Sequence, residues 1–352
     1  MMAGQGAGFG DAAVADQPPL RMGILGVGRI GRMHAGLLLR EVPGTTVTAV
    51  ADALPEVARN VADSLGVVAM EIDELLASDE VDAVAICTST DTHVDLIIRA
   101  ASAGKAILCE KPVSLDLAEV DRALAAVEAA GVPFMVGFNR RFDAGHAAVA
   151  QAVRTGTIGD LHLLRITSRD PAPPPPEYVA VSGGIFLDMM IHDFDMARFV
   201  AGSEVVEVYA RGAVRVDPRI GAAGDVDTAV VVLTHADGTI TTIDNSREAV
   251  YGYDQRVEAF GSGGMAVSDN PLRHAAWVRT SENTAAQPLP WFFLDRYLPS
   301  YREEWARFAA YVREGGDSPV GTTDGREPVR IGIAATRSLK EGRSIRLDDI
   351  VP

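Results

Sequence analysis

Short apolar runs alternate with amphipathic stretches through the first 139 positions. Met22–Leu25, Val47–Ala51, Val81–Cys87, Ala106–Cys109 and Phe134–Gly137 are runs of four to seven residues, the pattern of strands buried on both faces. Between them the spacing predicts helices ending near Arg40, over 55–65 with Val57, Val61 and Leu65 on one face, and over 73–77, 93–103 and 116–130. Strand and helix taking turns in this way predict a doubly wound parallel sheet. After about residue 139 the pattern changes. Leu161–Thr167, Glu204–Val216, Asp227–Thr234, Thr239–Asn245 and Arg256–Gly261 are mostly longer and are separated by turns such as Asp237-Gly238. They predict a large, mostly antiparallel open sheet with one face left for helices or another subunit. Phe292–Trp305 reads as helical, and Gly325–Gly342 as a final helix with Ile331, Ile333 and Ala334 buried. The fold class is therefore α/β, with a disordered tail over 1–20, a first domain over 21–139 and a second over 140–352.

The first apolar run leads directly into Gly26-Val27-Gly28-Arg29-Ile30-Gly31. Each glycine has a task in a dinucleotide fingerprint: a tight turn at Gly26, close approach of a pyrophosphate at Gly28, and packing of helix on strand at Gly31. The amides that open the helix would face the phosphates. Asp52 ends the second run about 20 residues past the last glycine, where an acid holds the adenosine ribose. Its charge would repel a 2′-phosphate and Ala53 offers no cation, which favours NAD over NADP. Thr88, Ser89 and His93 follow the third run, in the loop that lines the cofactor crevice of such sheets. Glu110-Lys111-Pro112 ends the fourth, and a charged pair closing an apolar strand is expensive to bury without purpose. Pro112 biases Lys111 toward extended geometry, and the bond between them is a candidate for the cis form.

Composition narrows the classes further. Lys+Arg 32 against Asp+Glu 48 leaves a net charge of −16, which argues against a general nucleic-acid binder and against docking on anionic lipid. No run approaches the ~18 apolar residues of a membrane span. Two cysteines, Cys87 and Cys109, are too few for a disulfide framework and fit a reducing cytoplasm.

The segment Ser182–Phe199 carries the most chemistry. Asp188 and His192 stand four apart on a predicted helix, with Asp195 three further on the same side and Phe186, Met190, Phe194 and Ala197 on another. A carboxylate one turn before a histidine would raise its basicity and orient it as a proton acceptor. A metal site is the weaker reading, since the set lacks H-E-x-x-H spacing and hydride transfer needs no metal. A merely solvated face is disfavoured because three ionisable side chains among apolar neighbours are costly.

Taken together, Gly26–Gly31, Glu110-Lys111-Pro112 and Asp188-x-x-x-His192 resemble the Gfo/Idh/MocA oxidoreductases, from Arg21 to Val351. The resemblance implies an N-terminal Rossmann domain, a C-terminal α/β domain and a homotetramer built on its open sheet. It assigns catalysis to Lys111, Asp188 and His192, and contacts to a small polyol substrate to those three with Arg140, Asp195 and Tyr253. It also implies NAD held by Gly26, Gly28, Arg29, Ile30, Gly31, Asp52, Thr88, Ser89, His93, Glu110 and Lys111. The strings Gly137–Asp143, Ser168–Pro171, Gly183–Asp195 and Tyr251–Arg256 are similar to the inositol-oxidising branch, which implies oxidation of the 2-hydroxyl of myo-inositol to the 2-keto-inositol. Another sugar or polyol dehydrogenase is the alternative. A non-catalytic dinucleotide sensor of this fold would be expected to lose the lysine or the histidine, and this chain keeps both.

Overall fold

The computed structural model describes residues 18–352, so the predicted disorder of the tail lies outside the described residues up to position 17. The first strand starts at Leu20, which is buried, one residue before the predicted domain boundary. In chain order the first elements are β1 (Leu20–Leu25), α1 (Arg29–Arg40), β2 (Thr45–Ala51), α2 (Pro55–Leu65), β3 (Val68–Ala69), α3 (Ile72–Ala77), β4 (Ala83–Ile86), α4 (Thr90–Ser102), β5 (Ala106–Glu110), α5 (Leu117–Ala130) and β6 (Phe134–Gly137). Then come α6 (Ala144–Arg154), β7 (Leu161–Arg169), α7 (Pro176–Val179), a π-helical turn over Ile185–Met189, α8 (Ile191–Ala201), β8 (Val205–Ala213), α9 (Pro218–Ala222), β9 (Thr228–His235), β10 (Ile240–Ser246), β11 (Asp254–Gly261) and β12 (Gly264–Ser268). The hairpin β13 (Val278–Arg279) and β14 (Thr284–Ala285), α10 (Phe293–Glu314), α11 (Thr322–Glu341) and β15 (Ile345–Arg346) complete the chain.

Two compact units result. The first comprises the chain up to Glu110 with Ala123–Gly137 and Glu304–Gly321; the second comprises Lys111–Arg122, Phe138–Glu303 and Thr322–Pro352. In the first, all strands run parallel in the order β3-β2-β1-β4-β5-β6. This is the doubly wound dinucleotide order, whose direction of winding reverses between β1 and β4. The strands are buried on both faces because helices cover both, which is why they read as continuous apolar runs: Ile24, Leu25, Val84, Ile86, Ile107 and Leu108 are all fully buried.

The second unit holds a seven-stranded sheet ordered β12-β11-β7-β10-β9-β8-β15. Every pair is antiparallel except β7 with β10. Alternation along the strands sends Leu164, Ile166, Val208, Val231, Leu233, Ile243 and Val257 to one face, where they form a core with Val149, Met190, Phe194, Ala197, Ile331, Ala334 and Ala335 of the covering helices. At ~1.5–3 kcal/mol for each large side chain buried, this layer is what fixes the helix carrying Asp193 and Asp195 against the sheet. The opposite face keeps apolar side chains in solvent, among them Leu163, Ile240, Phe260 and Met265. Registration sets these four side by side across β12, β11, β7 and β10.

Candidate active site

In the first unit the fingerprint follows β1 and opens α1, with Gly28 as its N-cap. Gly26 has φ +84°, and a Cβ there would lie 2.8 Å from the Thr88 backbone; at Gly31 it would lie 1.9 Å from the Gly26 carbonyl oxygen. At Gly28, by contrast, a Cβ would meet nothing within 4 Å. The turn is thus closed at two glycines and open at the one where a pyrophosphate must approach. Asp52 is half-buried at the end of β2; its Oδ2 accepts the Val27 N–H at 2.9 Å and its Oδ1 the Leu54 N–H at 3.0 Å. The carboxylate is therefore tied to the fingerprint backbone. These residues fit a dinucleotide: open backbone and a helix start for the phosphates, a fixed acid for the ribose.

Two predicted cofactor residues turn inward instead. His93 is buried, and its Nε2 donates to the Thr88 carbonyl at 3.2 Å, so the ring braces the Thr88–Ser89 loop. An imidazole on the first turn of α4 has its own loop as the nearest acceptor. Glu110 receives the Nε2–H of buried His34 at 2.8 Å, while His34 Nδ1 accepts the Trp305 indole N–H at 2.8 Å. The indole bond fixes the tautomer. Arg29 and Ile30 open α1, with Arg29 exposed.

In the second unit, Lys111, Asp188 and His192 come together. The Lys111–Pro112 peptide is cis. Lys111 Nζ donates to the Asp188 carbonyl at 2.9 Å and lies 3.9 Å from its Oδ1. Tyr178 donates its hydroxyl to the same Oδ1 at 2.9 Å, and Arg247 Nη1 donates to Oδ2 at 3.3 Å. His192 packs edge-on against Phe138, ring centroids 5.9 Å apart.

The predicted Asp188–His192 relation needs correction. The Met190 N–H bonds the Ile185 carbonyl five residues back, and α8 begins only at Ile191. The wider turn breaks the four-residue stacking, so Asp188 engages two cations and a phenol. Among the described residues no hydrogen bond joins Asp188 to His192, and His192 Nδ1 is buried without a partner. Nor is its basicity raised. Burial, and then the charges of Lys111 and Arg140, push His192 well below the usual imidazole range.

The three residues implied as further polyol contacts separate. Tyr253 is buried, edge-on to Tyr297 at 6.0 Å, and its hydroxyl has no hydrogen-bond partner among the described residues. Arg140 is buried, and its Nη1 donates to Ser168 Oγ at 2.9 Å and to Asp193 Oδ1 at 2.6 Å. Asp195 points away into a different network. It is buried and gripped through both oxygens by Arg141, at 2.6–3.1 Å; Arg141 and Arg198 also share Asp324. Its carboxylate is occupied by that ion pair and is not offered to a ligand.

Three residues escaped the sequence reading. Asp193, wholly buried, accepts from Ser168, Arg140 and Asn245 at 2.5, 2.6 and 2.9 Å. Asp170 follows β7; burial, opposed by Arg247 and Arg140 and reinforced by Asp188 and Asp193, raises its carboxyl to about 6. Arg247 is buried just past the end of β10. The criterion that singled out Lys111, a charge closing an apolar run, does not reach Arg247, because β10 carries Thr241, Thr242, Asp244, Asn245 and Ser246 beside its two isoleucines.

A Rossmann sheet with an open fingerprint, joined to a second α/β unit holding a lysine, an aspartate and a neutral histidine, defines a dinucleotide-dependent oxidoreductase. The chain belongs to the GFO/IDH/MocA oxidoreductases: residues 20–138 match the oxidoreductase family with an NAD-binding Rossmann fold, and residues 146–267 match the GFO/IDH/MocA C-terminal domain. It is 47% identical over 334 residues to a myo-inositol 2-dehydrogenase of Thermotoga maritima, spanning 94% of this chain and 100% of that one. A solved myo-inositol dehydrogenase from Corynebacterium glutamicum superposes with a TM-score of 0.89 at 42% identity, over 94% of this chain and 99% of that one. A scyllo-inositol dehydrogenase from Lactobacillus casei, solved with bound NAD(H) and scyllo-inositol, gives 0.87 at 28% identity over 94% and 99%.

Proposed function

We propose that this chain oxidises the 2-hydroxyl of myo-inositol to the 2-keto-inositol with NAD as the oxidant. The observation that carries this reading is a buried, neutral His192 in one cluster with the Lys111 ammonium, in a chain so similar to an inositol dehydrogenase. Loss of a secondary alcohol's two hydrogens requires a base for the proton and an acceptor for the hydride. Bound NAD supplies the hydride acceptor, held by Gly26–Gly31 and Asp52. His192, held uncharged by burial and by the charges of Lys111 and Arg140, takes the hydroxyl proton. Lys111 stabilises the negative charge that develops on the same oxygen, and Asp188 holds that ammonium through its carbonyl and carboxylate. The unpartnered Tyr253 hydroxyl and the remaining Arg140 donors meet ring hydroxyls, and Asp195 is left out of that set. A site that hydrogen-bonds each hydroxyl discriminates strongly against isomers that misplace one.

The alternative is a related polyol or sugar dehydrogenase, favoured by the likeness to a scyllo-inositol enzyme. Turnover of myo-inositol, scyllo-inositol and aldoses with NAD and with NADP, followed by NADH or NADPH absorbance, decides between them. The expected result is fastest reduction of NAD with myo-inositol. No turnover of any inositol by folded protein would overturn the reading.

The chain also assembles, on this reading, as a homotetramer through the exposed sheet face, because the adjoining Met265, Phe260, Leu163 and Ile240 form an apolar row. Its place is the cytoplasm, in keeping with two free cysteines and with no helix among the described residues long and apolar enough to cross a membrane.

A further inference from the structure

Arg247 is 1% exposed, yet it makes no close two-point pair of the kind that buried Arg198 makes with Glu204. Arg141 grips Asp195 and Arg198 grips Glu204 with bonds of 2.6–3.1 Å. Arg247 instead reaches Asp188 Oδ2 with Nη1 at 3.3 Å and Asp225 Oδ2 with Nη2 at 3.7 Å, while its Nε and Nη2 make no hydrogen bond. An arginine this loosely bound is poorly placed as a stability device, since desolvating a guanidinium costs several kcal/mol unless its donors are met.

Its two carboxylates stand at opposite ends of one turn. Asp225 accepts the Ile185 N–H at 3.0 and 3.2 Å, at the start of the π-helical turn, and it leaves no room for a side chain at Gly184, where a Cβ would come within 2.7 Å of Oδ1. Asp188 lies near the end of that turn and carries both contacts to Lys111. A π-helical turn is intrinsically less favourable than an α-helical one and is commonly found at functional sites. A planar cation bridging the two ends would hold the wide turn open at its required width.

We propose that Arg247 is a positioning residue for the reaction: bridging Asp225 and Asp188, it fixes the π-helical turn and, through Asp188, the Lys111 ammonium. This rests on the dehydrogenase reading for its assay. A lysine supplies only a point charge and cannot span both carboxylates as the planar fork does.

The test is a double-mutant cycle on the full chain with myo-inositol and NAD, pairing Arg247→Met with Asp188→Asn. Arg247→Met should keep NADH binding and a cooperative melt while kcat falls by about 10²-fold, the scale of a catalytic group misplaced by ~1 Å. Added to an Asp188→Asn background it should cost little more, because both changes act through one carboxylate. In Arg247→Ala, millimolar guanidinium should restore part of kcat while the same concentration of ammonium does not. A folded Arg247→Met variant with kcat within about twofold of wild type, or effects that multiply fully across the cycle, would overturn the proposal. If Arg247→Met does not fold, Arg247→Lys is read on the same cycle with the same criteria. Absence of wild-type turnover would count against the dehydrogenase reading; wild-type turnover with indifferent Arg247 variants counts only against the role of Arg247.

Discussion

A histidine can take a proton from an alcohol only if it is unprotonated when the alcohol arrives. Burial and two neighbouring cations secure that for His192, so its protonation should not limit the reaction near neutrality. Asp170, buried and raised to about 6, titrates close to that range. We therefore predict that kcat/KM for the polyol bends near pH 6 and falls a second time only at much lower pH, where His192 takes up its proton. Asp170→Asn should remove the first bend and leave the second; a bend that survives in that variant would show that another group carries it. At this scale Lys111 and His192 stand out in the sequence because an ammonium ending an apolar strand and an imidazole inside an apolar helix are chemically conspicuous. The resemblance named Asp195 as a polyol contact, and the ion pair with Arg141 that occupies its carboxylate comes from a residue 54 positions away. Arg247 acts on Asp188 from 59 positions away, a distance along the chain that no periodicity reports.

Elements were more legible than contacts, since each depends on a period of two or 3.6 within its own residues. Five of the six parallel strands of the first unit and the five long strands of the second follow the apolar runs closely. Missing were the short β3, β12, β13, β14 and β15 and the one-turn α7 and α9, which have too few residues for a period, and α6, whose alanine-rich sequence has only a faint apolar stripe. A signal for α6 was present: Asp143 accepts the Gly145 and His146 N–H groups as its N-cap. The fingerprint shows how an element and its ligand make different demands on glycine. Gly31→Ala would drive a Cβ to 1.9 Å from the Gly26 carbonyl, so it should lower the melting temperature and abolish NADH binding together. Gly28→Ala meets open space and should melt as wild type does while weakening NADH binding by about tenfold or more, because only the phosphate's approach is blocked. Melting curves and fluorescence titration of NADH separate the two; a Gly28→Ala variant that binds NADH normally would show that the phosphates lie elsewhere.

For the whole molecule, the two-unit α/β plan was visible in the change of pattern near residue 139, whereas the return of Glu304–Gly321 to the first unit and of Lys111–Arg122 to the second was not. Such returns are made by tertiary packing, and the apolar stripe of a helix does not say which sheet it will cover. The exposed apolar row bears on assembly. Leu163 and Phe260 are neighbours in register and remain 47% and 46% exposed, so Leu163→Arg with Phe260→Asp should leave the fold intact and dissociate the proposed tetramer. Light scattering coupled to size exclusion measures this directly; a wild-type monomer would contradict the proposed assembly. The chemistry itself is tested most directly by His192→Ala, assayed with myo-inositol and NAD beside a titration of NADH. The variant should bind NADH as the wild type does and lose at least about 10²-fold in kcat, the scale of a lost general base. Near-native turnover by that variant would contradict the assignment of the proton to His192, and with it the mechanism.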